Sequence, residues 1–193
     1  MNIPWSNMDG RHIIFYGIMI YLLSFSFGYC WQGASLHSQG RQEYGTAHEL
    51  IRKELNIPTA WFKKIVLNNL GLNALIILGS FSMLAFSMMI LFFNALSIGM
   101  LVKSICAAYG WKLSLALVAP HLVVEVFSQM LALYLSYQIL DKLIVPVILL
   151  RKPLHNICSN ARQYLYYLIV IFIVTMLAAH IEVFVTPKLI QMV

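Results

Sequence analysis

The sequence predicts an all-α fold: a polytopic transmembrane helical bundle of five spans, four if its longest apolar run crosses once, with an interfacial amphipathic elbow helix. Three observations lead there. Of 193 residues, 61% are hydrophobic and 10% charged, against about 45–50% and 25% in soluble domains. Four stretches nearly free of charge, Ile13–Leu36, Ile65–Val102, Leu113–Leu140 and Tyr164–Ile181, together hold 108 residues. About 20 apolar residues cross the hydrocarbon core as a helix, so more than half of the chain reads as membrane-embedded. A soluble enzyme, a disordered tail and a secreted disulfide scaffold are excluded, and a single membrane domain over 1–193 is expected.

The expected spans lie at about 12–34, 65–83, 87–109, 113–140 and 164–184, with polar loops at 35–64 and 141–163. The first apolar stretch outruns the 7–15 residues of a signal-peptide core and lacks a small-residue cleavage site, so it reads as a permanent helix. Its end carries Tyr29 and Trp31, which suit the aromatic belt of a membrane interface. In the first polar loop a short helix over Thr46–Leu55 is expected, because Glu49 and Lys53 are four apart. Pro58 then suits the first turn of a new helix. Trp61 and Phe62 beside Lys63 and Lys64 read as an elbow lying in the interface, a candidate docking surface. The ordinary start of a span, with its lysines snorkelling, explains the same residues equally well.

The 38 residues of Ile65–Val102 would make a straight helix about 57 Å long, far beyond the roughly 30 Å of hydrocarbon. A turn near Phe81–Ser87 resolves this by making two spans. Positive charge pulls the other way: four crossings with the N-terminus outside place nine Lys/Arg inside against four, while five crossings give eight against five at best. The fourth span is expected to stop at Asp141-Lys142, leaving Leu143–Leu150, which contains Pro146, as an interfacial or re-entrant piece. Pro187-Lys188 closes the last span.

Net charge is +6, but its basic residues sit in loops beside apolar helices, where anionic headgroups explain them. Basic runs interleaved with stacking aromatics are absent, so nucleic acid is not an expected partner. Cys30, Cys106 and Cys158 are far apart and form no C-x-x-C pair, so small apolar packing residues are expected and no metal or cofactor.

The polar residues within the spans carry the functional signal. Glu125 lies mid-span, where an acid costs about 2.5–3.5 kcal/mol on insertion scales. His121 and Gln129, four residues to either side, share its helix face. Asn94, Asn73 and Lys103 on neighbouring spans are candidate partners. The cluster Asn94, His121, Glu125 and Gln129 reads either as hydrogen bonding that fixes the bundle or as a substrate-contacting or proton-carrying groove. Pro120 frees a backbone carbonyl one turn earlier and predicts a kink. The sequence shows no nucleophile with a base, no phosphate-cradling glycine loop and no H-E-x-x-H, so an enzyme is not expected.

The order of these features resembles the stage II sporulation protein M family. The likeness rests on Asn68-Asn69 opening a span, Gly79 within it, Asn94 shortly before Ile98-Gly99, and Pro120-His121 followed by Glu125. It covers about Trp61–Gln138. Ala95, Leu122 and Met83 stand where the family has small residues. Carried over by position, the family's marked residues are Asn69, Asn94, Gly99, Pro120, His121 and Glu125. The resemblance implies a five-span protein of the bacterial inner membrane without catalytic chemistry. It also implies partners: one member anchors a cell-wall remodelling complex, and relatives occur with ABC ATPases and in machinery that makes or exports circular peptides. The expectation is therefore a membrane subunit of a transport, export or envelope assembly, able to form homo-oligomers. A stand-alone small transporter or an immunity protein is the alternative.

Overall fold

The computed structural model describes residues 9–31, 58–148 and 155–190. Among these, no strand occurs, and five helices are long and apolar enough to cross a membrane: Gly10–Trp31, Trp61–Ser82, Ala85–Ala107, Trp111–Val147 and Asn160–Lys188. The α-helical parts of the five are α1 (Gly10–Trp31), α2 (Pro58–Leu78), α3 (Ala85–Tyr109), α4 (Trp111–Ile139) and α5 (His155–His180). The expected short helix at Thr46–Leu55 lies outside the described residues.

The long apolar run divides as length requires. A 3₁₀ turn over Gly79–Ser82 leads into Met83 and Leu84, whose φ angles of 52° and 69° are left-handed. Two consecutive residues of that kind, neither glycine, are costly, so the turn needs support from hydrogen bonds. Leu84 N donates to Gly79 O at 3.1 Å. The Ser82 hydroxyl donates to Gly79 O at 2.9 Å and accepts from Phe86 N at 3.0 Å, satisfying one of the free donors at the start of α3. Gly110 then separates α3 from α4 with a φ of 84°, a conformation glycine adopts without a Cβ penalty.

Two places differ from the sequence expectation. Trp61–Lys64 form no separate elbow: they are the first turns of a helix that runs unbroken from Pro58. The fourth span does not stop at Asp141-Lys142. It continues through a π-turn at Leu140–Ile144 into Val145–Ile148. The π-turn shifts the hydrogen-bond pattern, with Val145 N donating to Leu140 O. Pro146 therefore falls in the first turn of the Val145–Ile148 helix, where its missing N–H is tolerated. The helix is likewise continuous through Pro120.

Helix α4 is central, packing against all four others, while α1 lies along α3. Two glycines set that second pairing. A Cβ at Gly28 would meet the Leu96 carbonyl, and one at Gly99 would meet the Phe25 carbonyl and Tyr29 nitrogen, so the backbones touch directly, as small residues permit between membrane helices. Small polar groups join the rest. Asn73 of α2 donates to the Ser128 hydroxyl of α4 at 2.9 Å and the Thr175 hydroxyl of α5 at 3.0 Å. The Ser128 and Thr175 hydroxyls also pair, at 2.9 Å. Replacing Asn73 with Leu should cost about 1–2 kcal/mol, the upper part of the range for such bonds in membranes. Thermal unfolding in detergent checks it, and an unchanged midpoint would show that the triad carries no stability.

Candidate functional site

Glu125 sits 14 residues from either end of α4, hence about 21 Å from each at a helical rise of 1.5 Å. Its carboxyl Oε1 accepts from Gln129 Nε2 at 2.9 Å, a contact that the i, i+4 spacing makes available within one helix face. The Gln129 side chain is 1% exposed, and its Oε1 accepts from Asn94 Nδ2 of α3 at 3.3 Å. Asn94, Gln129 and Glu125 therefore form one relay, in which a single amide both donates and accepts. Its outer end, Asn94, is half-buried and reaches the surface.

The other residues singled out from sequence are placed around this relay. His121 is half-buried one turn before Glu125, and its Nδ1 is buried without a hydrogen-bond partner. Asn73 serves the Ser128–Thr175 triad instead of Glu125, and the Lys103 ammonium lies over the Tyr29 ring at 4.9 Å. Asn69 is buried and accepts from Asn68 Nδ2 at 3.4 Å. Gly99 belongs to the α1–α3 contact, and Pro120 precedes His121 within α4. At the start of α2, Phe62 packs on Phe184 with ring centroids 6.2 Å apart. Lys63 and Lys64 are exposed, Lys64 lying 5.2 Å over Trp61. Ala95, where the resembling family has glycine, is wholly buried.

A groove of about 400 Å³ opens beside Asn94, lined also by Leu67, Asn68, Gly71, Leu72 and Leu75. Asn68 and Gly71 are exposed, and a Cβ at Gly71 would meet nothing. Asn68 lies 14 residues before the end of Trp61–Ser82 and Asn94 nine after the start of Ala85–Ala107, about 21 Å and 13 Å from the turn joining them. Two amides thus line an outward-facing wall at hydrocarbon depth.

Two further polar groups inside the bundle were not singled out as site residues from sequence. Tyr21 of α1 is 4% exposed, and its hydroxyl is buried without a partner. Glu182 lies in a second π-turn, Ile181–Val185, that continues α5. An acid interrupting an apolar run was the available signal for Glu182, close to the expected end of the last span at 184. The helix runs on to Lys188, where Pro187-Lys188 is expected to close the span. Among the described residues no group of three His, Cys, Asp or Glu side chains comes together to hold a metal.

The family model described as Stage II sporulation protein M matches residues 13–187. An uncharacterized protein of Methanocaldococcus jannaschii is 27% identical over 177 residues, which cover 89% of this chain and 94% of that protein. No solved structure matches the chain.

Proposed function

The chain belongs to the stage II sporulation protein M family, and from that premise we propose that it is a non-enzymatic membrane subunit of a larger transport, export or envelope-remodelling assembly. The groove beside Asn94 carries this reading. Lipid tails offer an amide no hydrogen bond, and a polar side chain facing them is costly. The exposed Asn68 and the half-buried Asn94 are therefore suited to a partner that supplies donors and acceptors. Gly71 leaves space for another backbone to approach, as small residues do at membrane helix contacts. A transmembrane helix of a partner subunit satisfies both features.

The resemblance read from Asn68-Asn69 through Glu125 makes an ABC ATPase complex or peptide-export machinery the preferred class of assembly, in the cytoplasmic membrane. A cell-wall remodelling scaffold of the sporulation type is a further member of this class. The exposed Lys63 and Lys64 provide a second contact, either to that assembly or to anionic headgroups. The stand-alone transporter is the second reading, and the relay leading inward from the groove to Glu125 favours it.

Purification in mild detergent from the native host separates the two. The subunit reading expects a stoichiometric membrane partner that is lost when Asn68 is changed to Leu and Gly71 to Trp in one variant. Recovery of a lone homo-oligomer, unaltered by those changes, would support the stand-alone protein instead.

A further inference from the structure

Helix register brings together residues that no single helix displays. Helices α1 and α4 are antiparallel neighbours: a Cβ at Gly10 would meet Tyr134, and one at Gly17 would meet Leu133 and Met130. One turn beyond Gly17, Tyr21 reaches the level of Val126–Gln129. Its hydroxyl is buried there without a partner. Helices α4 and α5 are held in register by the Ser128–Thr175 bond. Seven residues beyond Thr175, Glu182 comes to the level of the turn His121–Glu125, in the π-turn that packs against α4. The π-turn at Ile181–Val185 makes this possible by rotating Glu182 relative to the helix that precedes it; such turns are frequent at functional sites.

Among the described residues the cluster holds two acids and no lysine or arginine. Helix α2 supplies no ionisable residue between Ile65 and Leu78. Lys103 of α3 is held over Tyr29, and His180 is exposed and stacks on Phe184 at 4.8 Å. His121 is the remaining titratable group, with its Nδ1 unpartnered. The Gln129 and Asn94 amides direct N–H groups inward, toward Glu125 and Gln129. Donors of that kind stabilise a carboxylate rather than ligate a metal ion. The buried Tyr21 hydroxyl, without a partner, can accept from a protonated carboxyl or donate to an ionised one. Two carboxyls at one level of the bundle, at bilayer depth, cannot both ionise cheaply.

We infer that Glu125 and Glu182, with the Tyr21 hydroxyl between α1 and α4, form a binding site for one exchangeable proton inside the bundle. Uptake leaves a single negative charge on the pair. Release returns the proton to water and leaves two carboxylates, whose repulsion pushes the π-turn away from α4. This site is independent of the partner groove and stands whether or not an assembly forms.

Infrared difference spectroscopy across a pH series, on the full chain in lipid nanodiscs, tests it. The wild type should show one carboxylic acid absorption that titrates and that Glu125→Gln removes. Glu182→Gln should displace the pH midpoint of the remaining Glu125 absorption by tenfold or more in proton concentration. Tyr21→Phe should alter its frequency. A midpoint and frequency unmoved by both variants would overturn the site, provided each elutes and melts as the wild type does. Loss of the absorption on adding sodium ions at constant pH would also overturn it, by showing that a metal cation occupies the pair.

Discussion

Replacing Gly28 or Gly99 with Leu should abolish folded protein. At both positions the atoms that a Cβ would meet are backbone: the Leu96 carbonyl in one case, the Phe25 carbonyl and Tyr29 nitrogen in the other. A flexible side chain could rotate away, but a helix backbone cannot, so α1 and α3 must separate along their length. Overpacking by even a methylene or two costs about 1–3 kcal/mol where side chains can adjust. Two rigid helices forced apart lose more, since the contact is the main attachment of α1 to the bundle. Fluorescence-detected size exclusion in detergent should show the monodisperse peak replaced by aggregate. Gly71→Leu is the internal control, because a Cβ there meets nothing, and it should elute normally. Normal elution of both the Gly28 and Gly99 variants would mean that α1 does not pack on α3 in this way.

The second large effect falls on function and leaves stability nearly unchanged. Glu125→Ala removes the acceptor for Gln129 Nε2, and an unsatisfied buried donor costs about 1–3 kcal/mol. It also removes an acid from the middle of a span, which relieves a penalty of about 2.5–3.5 kcal/mol. The two terms nearly cancel, so the melting midpoint in detergent should move by only a few degrees. Activity of the protein in the cell should nevertheless fall tenfold or more, since a residue kept at such a cost earns its place through function. Glu125→Gln sharpens the result: a strut that only accepts a hydrogen bond survives it, and a proton carrier does not. Full activity of Glu125→Ala at wild-type protein levels would show that the relay has no functional role.

The fold was legible because bilayer thickness is a hard constraint. The Ile65–Val102 run is too long to cross once, and Gly79, Ser80 and Ser82 mark where it turns. The Asn94–Gln129–Glu125 relay was partly legible too: Glu125 and Gln129 share a face by spacing alone, and Asn94 was an expected partner. Its specific bond, to Gln129, needed the register between α3 and α4. Tyr21, Glu182 and Gly28 were not legible, for two physical reasons. Interhelical register depends on backbone contacts such as Gly28 on Leu96, which no periodicity encodes. The two π-turns insert an extra residue per turn and rotate everything beyond them by about 100°, so a 3.6-residue period does not give the faces of the residues that follow. Asp141-Lys142 misled in the same way: charges at a span end mark an interface, but they do not stop a helix.

A subunit of a larger assembly must be touched by that assembly, and the Asn68–Gly71–Leu75 wall is where a transmembrane helix of another protein should seat. Leu75 is exposed and lines the same wall, so a photo-reactive amino acid placed there leaves Gly71 free for the approaching helix. Irradiation in native membranes should yield one discrete adduct with a membrane partner, and a probe at the exposed Phe172 on α5 should yield none. Crosslinks to lipid alone from position 75, with the protein otherwise folded and active, would show that lipid covers this wall and that no partner helix does.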